Sequence, residues 1–313
     1  MKYIEEFRED DRIVEHFLCK SRQSLKSKSG KTYLSLKLVD RTGMIDAKVW
    51  DMTNDIQAFE ENDFIKIDGI VTSYQNDLQL KVMKIRKSQE GEYQPTDYIP
   101  STDKDIASLY GQLVGTIASV TNPHIRELLE AILINDEYIK NAVQTHSAAK
   151  ANHHSYMGGL LEHTLSVVGL CEFLAVQYKH VNRDILIAGA MLHDIAKVYE
   201  LSPFPTNDYT DDGQLLGHIV MGAELITKAA AEISGFPPRL AAMLKHCVLA
   251  HHGEHEYGSP KLPQTIEAFI LYTADNADAK ITMFEDALQG SNPQGAWAGY
   301  SKIFQRNVRR TIY

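Results

Sequence analysis

The chain reads as a multidomain β + α protein, a small β-barrel followed by an all-helical bundle. Three observations predict this. Between residues 12 and 87, apolar and polar residues alternate in five short runs, the period of half-buried strands. After residue 100 the apolar residues recur three and four apart, the period of helices. Eleven of the thirteen histidines lie between His146 and His255, inside the helical part. A length of 313 residues accommodates two ordinary domains.

Bulk composition excludes several classes. Hydrophobic content of 44% and charged content of 23% are those of a soluble globular protein. No run of about 18 apolar residues occurs, so no membrane span or membrane partner is expected. The opening residues Met1 to Glu6 are charged and read as something other than a signal peptide. Cys19, Cys171 and Cys247 are far apart and form no CxxC pair. That usage fits a reducing cytoplasm and argues against a disulfide framework or a cysteine zinc site.

In the first part, Ile13 to Cys19 is the expected first strand. Ser24 to Lys31 is polar and ends in Ser-Gly-Lys, which predicts a hairpin loop. Thr32–Asp40 alternates cleanly, Arg41-Thr42-Gly43 turns, and Met44–Trp50 is the third strand. Asp51 to Asn62 has room for a short helix. Phe64–Thr72 and Leu78–Ile85 complete the set, with a turn at Gln75-Asn76-Asp77. Five strands with a helix between the third and fourth is the order of an OB-fold barrel, here assigned to residues 1–90. The Asp-Arg-Thr-Gly turn followed by Ile-Asp-Ala-Lys-Val-Trp resembles the anticodon-binding type of that fold.

Charge points the same way. Residues 1–90 carry 16 basic and 16 acidic residues, but residues 20–48 alone have a net charge of +6. Single-strand binders combine a cationic groove with aromatic rings that stack on bases. Lys20, Arg22, Lys26, Lys28 and Lys31 are the candidate cations, and Tyr33, Trp50 and Tyr74 the candidate rings.

Residues 91–103 are polar with two prolines and a glycine and read as a linker, leaving 104–313 as the helical domain. Ser101 or Thr102 is placed to cap a helix starting near Lys104. Further helices are expected from Pro123, and over Leu160–Gln177, Ile185–Tyr199, His218–Ala231, Arg239–Ala250 and Thr265–Lys280. The basic stretch Phe304–Arg310 is expected to be a solvated terminal helix, with contact to RNA or to another subunit as alternatives.

The chemistry centres on Met191-Leu192-His193-Asp194-Ile195-Ala196-Lys197. An imidazole beside a carboxylate suits a divalent transition metal, and Lys197 supplies a cation nearby. Around this pair fall His163, His218, His251-His252 and Asp275, in the order H…HD…H…HH…D. This order resembles the HD-domain metal-dependent phosphohydrolases over about residues 145–290.

The resemblance implies two metal ions. His163, His193, Asp194 and Asp275 would hold the first. Asp194 would bridge to a second, completed by His218 and one or both of His251 and His252. Manganese is the expected metal, and cobalt, iron, nickel and zinc suit the same donors. Some HD phosphodiesterases hold a third metal with a Glu one turn before the first His, where this chain has Gly159. Asp194 and Lys197 are the expected catalytic residues, with Lys197 stabilising charge on phosphorus or the leaving oxygen. Lys150, His153, His154 and Tyr156 are candidate contacts for the scissile phosphate or terminal nucleotide, and Asp278 a candidate support for the ligands.

An OB-fold in front of an HD domain, with the wording His153-His154-Ser155-Tyr156-Met157-Gly158-Gly159-Leu160-Leu161-Glu162-His163-Thr164, resembles the YhaM family of bacterial 3′-5′ exoribonucleases over nearly the whole chain. That resemblance implies stepwise, metal-supported hydrolysis of single-stranded RNA, and in some members DNA, to nucleoside 5′-monophosphates. The alternatives are a phosphodiesterase for a small or cyclic nucleotide and a regulatory nucleic-acid-binding protein. A homo-oligomer is compatible with each.

Overall fold

The structure is a computed structural model that describes residues 1–313 except 28–29, 53–54, 75–76, 151–153, 289–294 and 313. Lys28, His153 and the Gln75-Asn76 turn therefore lie outside the described residues. The chain divides into two compact units, Met1–Ser101 and Thr102–Tyr313.

The first unit is a closed five-stranded barrel: β1 (Arg12–Lys26), β2 (Thr32–Asp40), β3 (Gly43–Val49), β4 (Phe64–Tyr74) and β5 (Asp77–Lys87), in the order β1-β2-β3-β5-β4. All neighbours are antiparallel except β3 and β5, which run parallel. Alternation sends Phe17, Leu36, Leu38, Ile65, Ile67, Leu80 and Ile85 inward, where they are fully buried. β1 is longer than expected because it serves two partners. Arg12–Leu18 pairs with β4 and Leu18–Lys26 with β2, with a register shift between Cys19 and Ser21 that bends the strand. Lys20, Arg22 and Lys26 thus stand on a strand and not in a loop.

Two expectations for this unit are corrected. No helix forms over the described part of residues 51–62. Its backbone bonds to β5 instead (Gln57 amide to the Ile85 carbonyl, 2.9 Å), and Phe59 enters the core. The segment read as a linker from residue 91 packs on the barrel as far as Ile99. Tyr93 stacks on Phe64 at 4.2 Å, and Tyr98 and Ile99 are buried. Polar composition hid three apolar anchors.

The second unit comprises α1 (Ile106–Ala118), α2 (Pro123–Glu130), α3 (Glu137–Thr145), α4 (Gly159–Gln177), α5 (Arg183–Leu192), α6 (Lys197–Glu200), α7 (Asp211–Leu215), α8 (Gly217–Glu232), α9 (Pro238–Ala250) and α10 (Ile266–Leu288). Asp105, Asn122, Asp136 and Asn182 cap α1, α2, α3 and α5, each side chain accepting from a backbone amide three residues on. The cap of α1 is therefore Asp105, and Thr102 instead donates to Glu162 at 2.5 Å. By length and composition α4 could cross a membrane, but its stripe of Leu160, Leu161, Val167, Val168 and Cys171 is buried and the helix packs on α5 and α10.

Two further departures matter for function. The single helix expected over Ile185–Tyr199 is broken at the His-Asp pair. The unit is also not wholly helical, because the basic C-terminus forms a hairpin of β6 (Trp297–Ser301) and β7 (Arg306–Arg309). Ala298 and Val308 are its buried face, an alternation too short to stand out in the sequence.

Candidate metal centre

Five helix ends or faces converge on one point. α4 contributes His163 from its second turn. The start of α4 depends on a close approach: a Cβ on Gly159 would lie 2.2 Å from the His154 carbonyl oxygen. Glycine there lets the His154 carbonyl pack against the helix N-terminus, and the same contact leaves no room for a Glu at this position.

α5 ends at Leu192, and the chain then tightens. The amides of Ile195, Lys197, Val198 and Tyr199 bond three residues back, to Leu192, Asp194, Ile195 and Ala196. Neighbours on a regular helix diverge by about 100°. Where the regular helix stops, His193 and Asp194 reach the same point from consecutive positions, with His193 Nε2 and Asp194 Oδ2 3.5 Å apart. His218 enters from the first turn of α8, His251 and His252 from the end of α9, and Asp275 from α10. Gly253, with φ of 77°, ends the α9 corner under the Tyr272 ring, where a Cβ would meet ring carbons at 2.2 Å.

Every candidate imidazole is oriented in the same way. His193 Nδ1 is 2.8 Å from the Ala190 carbonyl, His251 Nδ1 2.6 Å from Val248 and His252 Nδ1 2.8 Å from Tyr257. His163 Nδ1 is 2.7 Å from Asp278, and His218 Nδ1 2.8 Å from Glu200. With Nδ1 held by each acceptor, all five Nε2 atoms face inward, the arrangement that supports metal-binding histidines.

The inward atoms form two groups that share Asp194. In the first, His163 Nε2 is 3.2 Å from His193 Nε2, 3.2 Å from Asp275 Oδ1 and 3.5 Å from Asp194 Oδ2. In the second, Asp194 Oδ1 is 3.3 Å from His218 Nε2 and 3.6 Å from His251 Nε2, and donor atoms of His218, His251 and His252 lie within 4.8 Å of one another. Donors about 2.1 Å from a common ion are roughly 3.0–3.4 Å apart, so the first group is close to a ligand set. Asp194 Oδ1, His218 Nε2 and His251 Nε2 are buried without a hydrogen-bond partner, an arrangement costly unless something binds there. The residues fit divalent metal ions.

Electrostatics agree. Burial opposes ionisation of Asp194, but Lys197, His193 and His218 hold its pKa well below the usual carboxylate range. Lys197 is raised against burial by Asp194, its ion-pair partner at 2.6 Å. Burial and the neighbouring His193 push His251 well down, which keeps it neutral and able to bind a metal. Burial works against charge on His163, yet Asp275 and Asp278 raise it to about 9.

The expected substrate residues are dispersed. Lys197 lines the cavity of about 350 Å³ over the centre, with Tyr257, Tyr272 and Asn276. His154 is buried, 3.3 Å from Asp278 and 2.9 Å from the Tyr156 hydroxyl, and Tyr156 donates to Glu162. Both residues are thus engaged in supporting His163 through Asp278. Lys150 is paired with Asp208 at 2.6 Å. On the barrel, Tyr33 and Trp50 stack on each other at 4.6 Å with Trp50 40% exposed. Lys31 is paired with Asp51 and Arg22 lies 3.8 Å from Glu60, so part of the basic stretch is neutralised locally. Glu200 was not anticipated. Its signal was a carboxylate set between Val198 and Leu201, both buried.

Residues 160–280 match the HD domain family, and residues 19–87 the family described as OB-fold nucleic acid binding domain. The chain is 34% identical over 294 residues to the 3′-5′ exoribonuclease YhaM of Geobacillus sp. (strain WCH70), covering 93% of this chain and 90% of that one. It is also 34% identical to the protein of that name from Bacillus velezensis, covering 90% of each. A solved OB-fold domain of replication protein A from Methanococcus maripaludis covers 29% of this chain and 98% of its own, at 20% identity and a TM-score of 0.24. With relatives at this identity matched over nine-tenths of their length, the chain belongs to the YhaM family, hydrolases with an OB-fold and an HD domain.

Proposed function

We propose that this protein removes nucleotides from the 3′ end of single-stranded RNA, releasing nucleoside 5′-monophosphates, with single-stranded DNA as a secondary substrate. The observation that carries the reading is the placement of the two Asp194 oxygens, one toward each donor group. His163, His193, Asp275 and Asp194 Oδ2 would hold one divalent ion. His218, His251, His252 and Asp194 Oδ1 would hold the other. The donor set suits manganese, and also cobalt, iron, nickel or zinc. Two such ions, when bound, supply an activated water and charge stabilisation for in-line attack on phosphorus.

The remaining roles belong to the chain. Asp278 and Glu200 orient His163 and His218. Lys197, fixed by Asp194 at the cavity wall, offsets negative charge on the phosphate. Tyr33 and Trp50 offer bases an exposed stacking platform on the sheet face that also carries Lys48, and the direction of digestion is supported by the relatives' named activity. The buried, unpaired cysteines suit a reducing compartment, the cytoplasm.

The test is incubation of manganese-loaded protein with 3′- and 5′-labelled RNA, beside an Asp194→Ala variant. Mononucleotide release from the 3′ end that vanishes in the variant supports the reading. Equal release by the variant, or turnover restricted to small or cyclic nucleotides, overturns it.

A further inference from the structure

The C-terminal hairpin lies outside both matched domains, which end at residues 87 and 280. Its composition is unlike the rest of its unit. Residues 102–294 hold 12 basic and 23 acidic residues, whereas residues 295–313 hold four basic residues and no Asp or Glu. Lys302, Arg306 and Arg309 are exposed, and among the described residues none of the three has a carboxylate within ion-pair distance. The barrel cations Lys31, Lys84 and Lys87, by contrast, each have an acidic partner.

The strand register sorts the hairpin into two faces. Ala298 and Val308 are buried. Trp297 pairs with Arg309 and Tyr300 with Asn307, and residues 307 and 309 flank the inward Val308. The outer face therefore carries Trp297, Tyr300, Asn307 and Arg309 together. Trp297 is 56% exposed and Tyr300 63%, and the Arg309 guanidinium lies 5.9 Å from the Trp297 ring centroid. Two solvent-facing rings beside cations that bond only backbone carbonyls are expensive to display to water and are what a nucleic acid strand uses, stacking on the rings and phosphate contact with the cations. An acidic protein has no general reason to carry such a patch, and its charge is complementary to a polyanion.

The hairpin is also anchored within reach of the centre. Phe304 packs on Phe284 at 5.1 Å, and Arg310 donates to the Leu288 carbonyl, so it sits at the C-terminal end of α10. Phe284 and Leu288 follow Asp275 by nine and thirteen residues on that helix, roughly 14–20 Å at about 1.5 Å per residue. At about 3.4 Å per stacked nucleotide this spans roughly four to six nucleotides.

We propose that the hairpin Trp297–Arg309 is a second single-strand-binding site, which holds RNA about four to six nucleotides upstream of the phosphate at the metal centre. The inference rests on the ribonuclease reading above. It predicts length discrimination: strands of three nucleotides end before the hairpin, and strands of ten or more engage it.

The test uses the full chain with 5′-fluorescein oligoadenylates of three and twelve nucleotides. Binding is measured in chelator, and hydrolysis with manganese. Two variants are compared, Trp297→Ala/Tyr300→Ala and the milder Lys302→Gln/Arg309→Gln, which leave the buried Ala298 and Val308 in place. The ring variant is expected to weaken 12-mer binding by at least about fivefold and leave 3-mer hydrolysis unchanged. The charge variant is expected to flatten the salt dependence of 12-mer binding by about 1.4 in log–log slope. Unchanged 12-mer affinity and slope in both variants would overturn the inference while Asp194→Ala still abolishes hydrolysis. A change of oligomeric mass with RNA affinity unaltered would overturn it in favour of a protein contact. Wild-type protein that neither binds nor hydrolyses either oligonucleotide would remove the ribonuclease reading itself.

Discussion

The sharpest perturbation of the centre is made one residue away from it, at Asp278. This carboxylate accepts from His163 Nδ1 at 2.7 Å and from the Ser166 hydroxyl, and lies 3.3 Å from His154 Nε2. Asn can keep one oxygen on His163 and turn its amide toward Ser166, so Asp278→Asn preserves shape and removes charge. What is lost is the charge-assisted bond that makes His163 Nε2 a better donor. Partners of this kind are worth roughly 10–100-fold in metal affinity, or about 1.4–2.7 kcal/mol. Asp278→Ala also leaves the Nδ1–H of a buried imidazole unsatisfied, adding about 1–3 kcal/mol of destabilisation. Manganese titration followed by calorimetry is expected to show about tenfold weaker binding in the Asn variant and about 100-fold in the Ala variant. Excess manganese should restore most of the Asn variant's RNA hydrolysis. Wild-type metal affinity in both variants would refute the orientation argument.

Three other expectations follow from the same geometry. Glu200→Gln loosens His218, so metal analysis at limiting manganese should show preferential loss of one of two ions; equal weakening of both would contradict the two-group assignment. His163 has its pKa raised to about 9, so in metal-free protein its charged form stabilises the fold fully below about pH 6.5 and ceases to as pH rises through 9. Metal must displace that proton, so manganese affinity should climb from pH 7 to about 9 and then level off, and a flat profile measured by titration would count against it. Trp50→Ala should cost roughly five- to 150-fold in RNA affinity by fluorescence anisotropy while sparing a small chromogenic phosphodiester, whereas unaltered RNA binding would take the Tyr33–Trp50 platform out of the account.

Much of this was legible in the chain. Strand alternation gave the barrel because one face of each strand is buried, as in β4, where Ile65, Ile67, Gly69 and Val71 all point inward. The histidine order gave the members of the centre because each carries its own local wording, His193, His218, His251 and His252 at helix ends and His163 and Asp275 on helix faces. What was not legible depends on partners distant in sequence. Glu200 meets His218 from 18 residues away, and Asp278, legible as a support, finds its partner His163 at a separation of 115 residues that the sequence does not indicate. The break after Leu192 has no Gly or Pro to announce it and arises from the change to three-residue hydrogen bonds. His154 looked like a substrate residue until its burial showed both ring nitrogens engaged. The barrel's basic stretch looked stronger than it is because Asp51 and Glu60, which face Lys31 and Arg22, lie outside it.

The central claim is that Asp194 joins two metal-holding groups, and counting bound metal tests it most directly. Manganese-loaded wild-type protein and Asp194→Asn, dialysed side by side, would be assayed by mass spectrometry of the metal. The account predicts two ions per wild-type chain and at most one in the variant, because both groups use a carboxylate oxygen of this residue. Two ions retained at wild-type affinity in the variant would contradict it.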